Sequence, residues 1–101
     1  MEINIQSIHF TADEKLEKYV TSKIEKLKKF YDNILGAQVF LKLDHGSAEI
    51  KDKVVEIKLQ LPGNILFASD ISRSFEESID ISFENLKTQL VKHKEKIKSK
   101  F

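Results

Sequence analysis

The longest periodic stretch in the chain is its last one, running from Ser74 to Phe101. At about 100° per residue, Phe75, Ile79, Phe83, Leu86, Leu90 and Ile97 fall within an arc of about 80°, which predicts one long helix with its apolar stripe on a core. Ser74 and Glu77 have the spacing of a capping box, in which serine accepts from a backbone N–H of the first turn. Thr11 and Glu14 repeat that spacing ahead of a second stripe, Leu16, Val20, Ile24, Leu27 and Tyr31, which predicts an earlier helix. Between and before the helices the period falls to two. Residues 2–10 alternate through Ile3 and Ile5 and shift phase near Ser7, which marks a bulge or an end. Ala37, Val39, Leu41 and Leu43 form a second alternating run after Gly36, and Val55, Ile57, Leu59 and Leu61 a third. Leu61-Pro62-Gly63-Asn64 suits a tight turn, because proline presets φ and glycine accepts a positive φ. Residues 65–69 then return as a fourth strand, and the polar residues 44–52 read as a loop.

The order β-α-β-β-β-α limits the architecture. Two strands flanking a helix pair in parallel through a right-handed crossover, whereas strands joined by short turns pair antiparallel. Each strand has one apolar face, so both helices are expected on the same side of a four-stranded sheet, giving a two-layer α+β fold. The other face would show Gln38, Lys42, Glu56, Lys58 and Gln60, with Phe40 and Val54 as its large apolar groups. That face is too polar to suggest strong self-association, and a monomer is expected.

A length of 101 residues predicts one domain, residues 1–101, with a single core. With no cysteine there can be no disulfide staple, thiolate metal site or cysteine nucleophile. The start MEINIQSIHF has neither a basic region nor a long apolar run, so no signal peptide or membrane span is expected and the default location is the cytoplasm. The net charge is only +1, but it is unevenly spread. Residues 84–101 carry six lysines against two glutamates, and residues 31–83 carry nine acidic against five basic groups. Such asymmetry is expected of a protein that presents one face to a polyanion.

The lysines of the last helix divide by angle. Lys87, Lys94 and Lys98 lie on one flank of the apolar stripe, and Lys92, Lys96 and Lys100 on the other. On the first helix Tyr19, Lys23, Lys26 and Phe30 share one edge, mixing aromatic and basic groups. One reading is a solvated helix end whose cations complement the dipole; the other is a phosphate-binding ridge that releases counterions on binding. His9, His45 and His93 lack metal-ligand spacing, and Glu76, Glu77 and Asp80 lie where a first helical turn favours carboxylates without any catalytic task. No glycine-rich phosphate loop or nucleophile elbow occurs, so no catalytic residue, metal or cofactor is expected.

Lys23-x-x-Lys26-Leu27 with Phe30-Tyr31-Asp32, then Leu61-Pro62-Gly63, Ile79-Asp80 and Leu86-x-x-Gln89-Leu90-x-Lys92-x-Lys94 together resemble the ribosome hibernation promoting factors, also called ribosome-associated inhibitors. The resemblance covers nearly the whole chain. It implies a fold similar to double-stranded RNA-binding domains and a role in translation inhibition. Binding would be to the small ribosomal subunit through its rRNA, where messenger and transfer RNA otherwise sit. It points to Lys23, Lys26, Lys87, Lys92 and Lys94 as RNA contacts, and the helical arc adds Lys98. Long members of the family continue into a second domain that pairs ribosomes; this chain is similar to a short form, for which ribosome dimerisation would need a separate helper factor. The family usually has an acidic residue and a tyrosine before Ile-Asp, where this chain has Ser74-Phe75-Glu76-Glu77-Ser78. An alternative of another class is a small adaptor that binds an acidic protein through its basic helices.

Overall fold

A computed structural model of the protein describes residues 1–44 and 51–98, the side chain of Lys98 excepted. The elements are β1 (Glu2–Ile8), α1 (Glu14–Lys26), a 3-10 turn (Leu27–Lys29), β2 (Gly36–Leu43), β3 (Lys53–Leu61), β4 (Asn64–Ser72) and α2 (Phe75–Lys98). The sheet order is β1-β2-β3-β4, with β1 parallel to β2 and the later pairs antiparallel. Pro62 and Gly63 turn the β3–β4 hairpin, and Gly63 takes a φ of 71°. The fold is α+β with both helices against one face of a mixed four-stranded sheet.

The core follows the predicted stripes. Val39, Leu41, Val55, Ile57, Leu59 and Leu61 rise from the sheet to meet Val20, Ile24 and Leu27 from the first helical segment and Ile79, Leu86 and Leu90 from α2, all at 0% exposure. Burying each such side chain stabilises the fold by about 1.5–3 kcal/mol, so this layer contributes most of what holds the two helices to the sheet. Phe10 extends the core at one end by stacking on Phe75, with ring centroids 4.9 Å apart. The turn that delivers it uses His9 at a φ of 67°, so β1 ends at Ile8 and the phase shift near Ser7 marks an end instead of a bulge.

Three further expectations are corrected. The cap of α1 is Asp13, whose Oδ1 accepts from Leu16 N at 2.8 Å, and not Thr11; both residue types can cap, and the Phe10 stack fixes where the helix begins. Ser74 does cap α2, its Oγ accepting from Glu77 N at 3.1 Å. Ile97 belongs to the stripe by angle but is 39% exposed. A 24-residue helix is about 36 Å long and a nine-residue strand about 30 Å, so the end of α2 overhangs the sheet. The outer sheet face is more apolar than expected, because β4 turns Ile65 and Phe67 outward at 58% and 47% exposure and, running on to Ser72, adds Ile71 at 39%. His45 and Lys100 lie outside the described residues.

β4 is an edge strand, and α2 partly covers it. Gln89 Nε2 donates to Phe67 O at 2.9 Å and to Asn85 Oδ1 at 2.6 Å, occupying a carbonyl that would otherwise be open to another strand.

Candidate nucleic-acid interface

α1 and α2 run side by side in the same direction. Tyr19 meets Asp80, Lys23 meets Asp80 and Phe83, Phe30 meets Phe83 and Lys87, and Tyr31 meets His93. The predicted edges of the two helices thus face one another across a groove. Parallel dipoles reinforce its polarity: the start of α2 carries Glu76, Glu77 and Asp80, and its far half carries Lys87, Lys92, Lys94 and Lys96.

The centre of the groove is built of crossed cation–π contacts. Lys23 Nζ of α1 lies 4.8 Å from the ring centroid of Phe83 on α2, and Lys87 Nζ of α2 lies 5.0 Å from that of Phe30, just past α1. The two rings meet edge to face at 6.4 Å. Both ammonium groups are therefore held by the opposite helix, their stems lying along apolar surface and their charge facing the groove. Phe83 is buried and Phe30 half-buried, so one aromatic pair both closes the core and seats two cations.

The neighbouring level is neutralised. Tyr19 OH donates to Asp80 Oδ1 at 2.5 Å, and Lys23 Nζ lies 3.1 Å from the same oxygen. Burial opposes the charged form of Asp80, but hydrogen bonds from Tyr19 and Lys23 and the charges of Lys23 and Lys26 outweigh it, and its pKa falls below the usual carboxylate value. Tyr19 is pushed up to about 12, first because its hydroxyl donates to Asp80, then through burial and the negative charges of Asp80 and Glu76.

The predicted lysines do not form one cluster. Lys23, Lys26 and Lys87 converge on the groove, and Lys94 follows two turns after Lys87 on the same flank. Among the described residues, Lys26, Lys87 and Lys94 have no carboxylate within ion-pair distance. Lys92 lies on the far side of α2, away from the groove. Lys98 is the last residue of α2, and its side chain is not among those described. Asp80, Tyr19 and Phe83 were not among the predicted contacts, although Asp80 and Phe83 share the Lys87 flank by helical angle. Among the described residues no group of three or more acidic or histidine side chains could hold a metal, and no helix is long and apolar enough to cross a membrane.

Residues 3–98 match the family described as Sigma 54 modulation protein / S30EA ribosomal protein. Similar curated proteins include the ribosome hibernation promoting factor of Pseudomonas putida, 32% identical over 99 residues that span 98% of this chain and 92% of that protein. The ribosome hibernation promoting factor of Escherichia coli (strain K12) is 30% identical over 98 residues, 97% of this chain and 98% of that protein. Among solved structures, a ribosomal subunit interface protein from Coxiella burnetii shares the fold with a TM-score of 0.82 at 22% identity, covering 93% of this chain and 98% of its own. The N-terminal domain of Protein Y from Thermus thermophilus aligns with a TM-score of 0.79 at 26% identity, over 92% of this chain and 99% of its own. From a match over nearly its whole length and relatives at 30–32% identity, the chain belongs to the Sigma 54 modulation protein / S30EA ribosomal protein family.

Proposed function

We propose that this protein is a non-enzymatic, cytoplasmic ribosome hibernation factor that binds the small ribosomal subunit through rRNA and blocks the messenger and transfer RNA sites. The observation that carries this reading is Lys87, seated over Phe30 at 5.0 Å with no carboxylate partner among the described residues, in a groove it shares with Lys23 and Lys26. Lys87 is half-buried, and a cation that is positioned but not neutralised is what a phosphate requires. The names of the relatives, ribosome hibernation promoting factor, support the biological setting. Lys23, Lys26, Lys87 and Lys94 form the RNA-facing set in this proposal, with Lys98 continuing their flank and Lys92 reaching a separate strand or none. The factor acts as a monomer on single ribosomes, and dimerisation needs a separate helper.

Co-sedimentation with purified small subunits across a salt series tests the proposal. Binding should weaken steeply with salt, and inhibition of cell-free translation should be stoichiometric with ribosomes and relieved by excess initiator transfer RNA with messenger. Inactivation of many ribosomes per protein, with cleaved RNA, would mean an enzyme. A stoichiometric complex with an acidic protein and none with ribosomes would favour an adaptor.

A further inference from the structure

At its acidic end the groove holds a carboxylate next to the half furnished for phosphates. Asp80 is held from two sides, by Tyr19 OH at 2.5 Å and Lys23 Nζ at 3.1 Å, and both partners use Oδ1. Its side chain is 48% exposed, and among the described residues Oδ2 has no hydrogen-bond partner. Phosphate is repelled by such a group at close range, so a nucleic-acid backbone following Lys26, Lys87 and Lys94 is kept away from it. What an immobilised, open carboxylate oxygen accepts is a neutral N–H or O–H.

Space for a base adjoins it. Tyr19 also lines a recess of about 510 Å³ together with Phe10 and Leu16, and Asp13, Lys15 and Glu76 are the charged residues of that lining. Glu76 is one helical turn before Asp80. Aromatic and aliphatic lining suits the face of an unpaired base, while carboxylates in the same lining suit amino donors.

We infer that Asp80 is a specificity-determining residue of the groove, its Oδ2 accepting from the exocyclic amine of an unpaired RNA base at the Tyr19 end while Lys26, Lys87 and Lys94 hold the adjoining phosphates. This rests on the RNA-binding reading above. Cytosine and uracil differ at the position that matters: cytosine presents an N4 amino donor, and uracil presents an O4 acceptor that the carboxylate repels.

The test is fluorescence anisotropy at low salt with labelled oligocytidylate, oligouridylate and oligodeoxycytidylate of equal length. The wild-type protein should prefer the cytidylate over the uridylate by about fivefold or more, the discrimination expected of a good base-edge contact. Asp80→Asn keeps the shape and an acceptor for Tyr19 but can donate as well as accept, so the ratio should fall to within about twofold. Should that variant not fold, Tyr19→Phe, which keeps the ring and frees the carboxylate, should lower the ratio in the same direction. Lys87→Glu should weaken all three ligands by a common factor. A wild-type ratio near one, or an unchanged ratio in folded Asp80→Asn, overturns the inference. So does an equal gain in affinity for both RNAs, which would make Asp80 a repulsive charge only. A change confined to the RNA-to-DNA ratio would place the 2′-hydroxyl there and overturn it too. Failure of the wild-type protein to bind any of the three would overturn the reading of the groove itself.

Discussion

On the outer sheet face Lys42 is bonded to Glu56 at 2.8 Å, and its charge is matched on the neighbouring strand. In the groove Lys87 faces an aromatic ring instead, and Lys23 divides its charge between Phe83 and Asp80. Both faces expose lysines near phenylalanines, so composition does not distinguish them. What does is the partner each cation meets: a cross-strand carboxylate cancels the field, whereas a ring holds the ammonium without cancelling it. The phenylalanines differ as well. Phe83 is 7% exposed and supports the core beneath its cation, whereas Phe67 is 47% exposed on the edge strand.

The largest effect should come from those two rings. Phe83→Ala removes a buried ring that carries Lys23 and abuts Phe30, and chemical denaturation should show a loss of about 3–5 kcal/mol. Phe67→Ala should cost under about 1 kcal/mol, since half of that ring is already in water. Equal losses would mean that the outer face is covered in solution, in contradiction to the proposed monomer.

The next test exchanges charge on both faces. Lys26→Glu with Lys87→Glu should weaken binding to small subunits about tenfold or more and flatten the salt dependence by about 0.7 in log–log slope for each phosphate lost. Exchanging the outer pair, Lys42→Glu with Glu56→Lys, should leave both quantities within about twofold, because a rim charge far from the contact contributes little. Co-sedimentation of the folded variants decides it, and equal weakening would remove the assignment of the groove.

The two faces were not equally legible. The inner face follows from period: Val39 and Leu41, Ile57 and Leu59, and Ile79, Leu86 and Leu90 repeat at two or at three and four, and all are fully buried. The outer face of β4 was hidden, because Ile65, Leu66, Phe67 and Ala68 are a continuous apolar run in which no alternation shows which side is wet. The lysine flanks of each helix could be read from angle alone. That Lys23 would reach Phe83 and Lys87 would reach Phe30 depends on the register between two helices far apart in the chain, which neither period contains. Asp80 reads from the sequence, with Glu76 and Glu77, as a carboxylate that the dipole at the start of a helix suffices to explain; it lies one turn further in than those two, and its use by Tyr19 across the groove is a tertiary fact.

A smaller effect separates the two sides of α2. Away from the groove, Ser78 Oγ donates to Lys53 O at 2.6 Å, one turn before Ser82, whose hydroxyl is buried at 1% exposure without a partner among the described residues. Ser78→Ala should cost about 1 kcal/mol by removing that hydrogen bond, whereas Ser82→Ala should gain about 1 kcal/mol by removing an unsatisfied group. Thermal denaturation of the two variants should move in opposite directions, and neither should change ribosome binding if the groove alone carries it.

The smallest effect is a titration within the groove. Tyr19 is raised to about 12 by its hydrogen bond to Asp80, by burial and by the charges of Asp80 and Glu76, so the folded protein prefers the protonated phenol. A group whose pKa rises on folding stabilises the fold fully below its unfolded value, about 10 for tyrosine. That contribution is lost as pH climbs from about 10 through about 12. In a Tyr31→Phe background the remaining phenol should ionise near 12 by ultraviolet absorbance, and Asp80→Ala, which removes both the acceptor and the negative charge, should bring the midpoint down towards 10, since the largest cause of the shift is gone. Asp80 itself has the opposite sign: its lowered pKa stabilises the fold above the ordinary carboxylate range, and that stabilisation disappears as pH falls through its folded value. A Tyr19 midpoint near 10 in the parent would mean that the hydroxyl points to solvent and that Lys23 alone holds Asp80 in place.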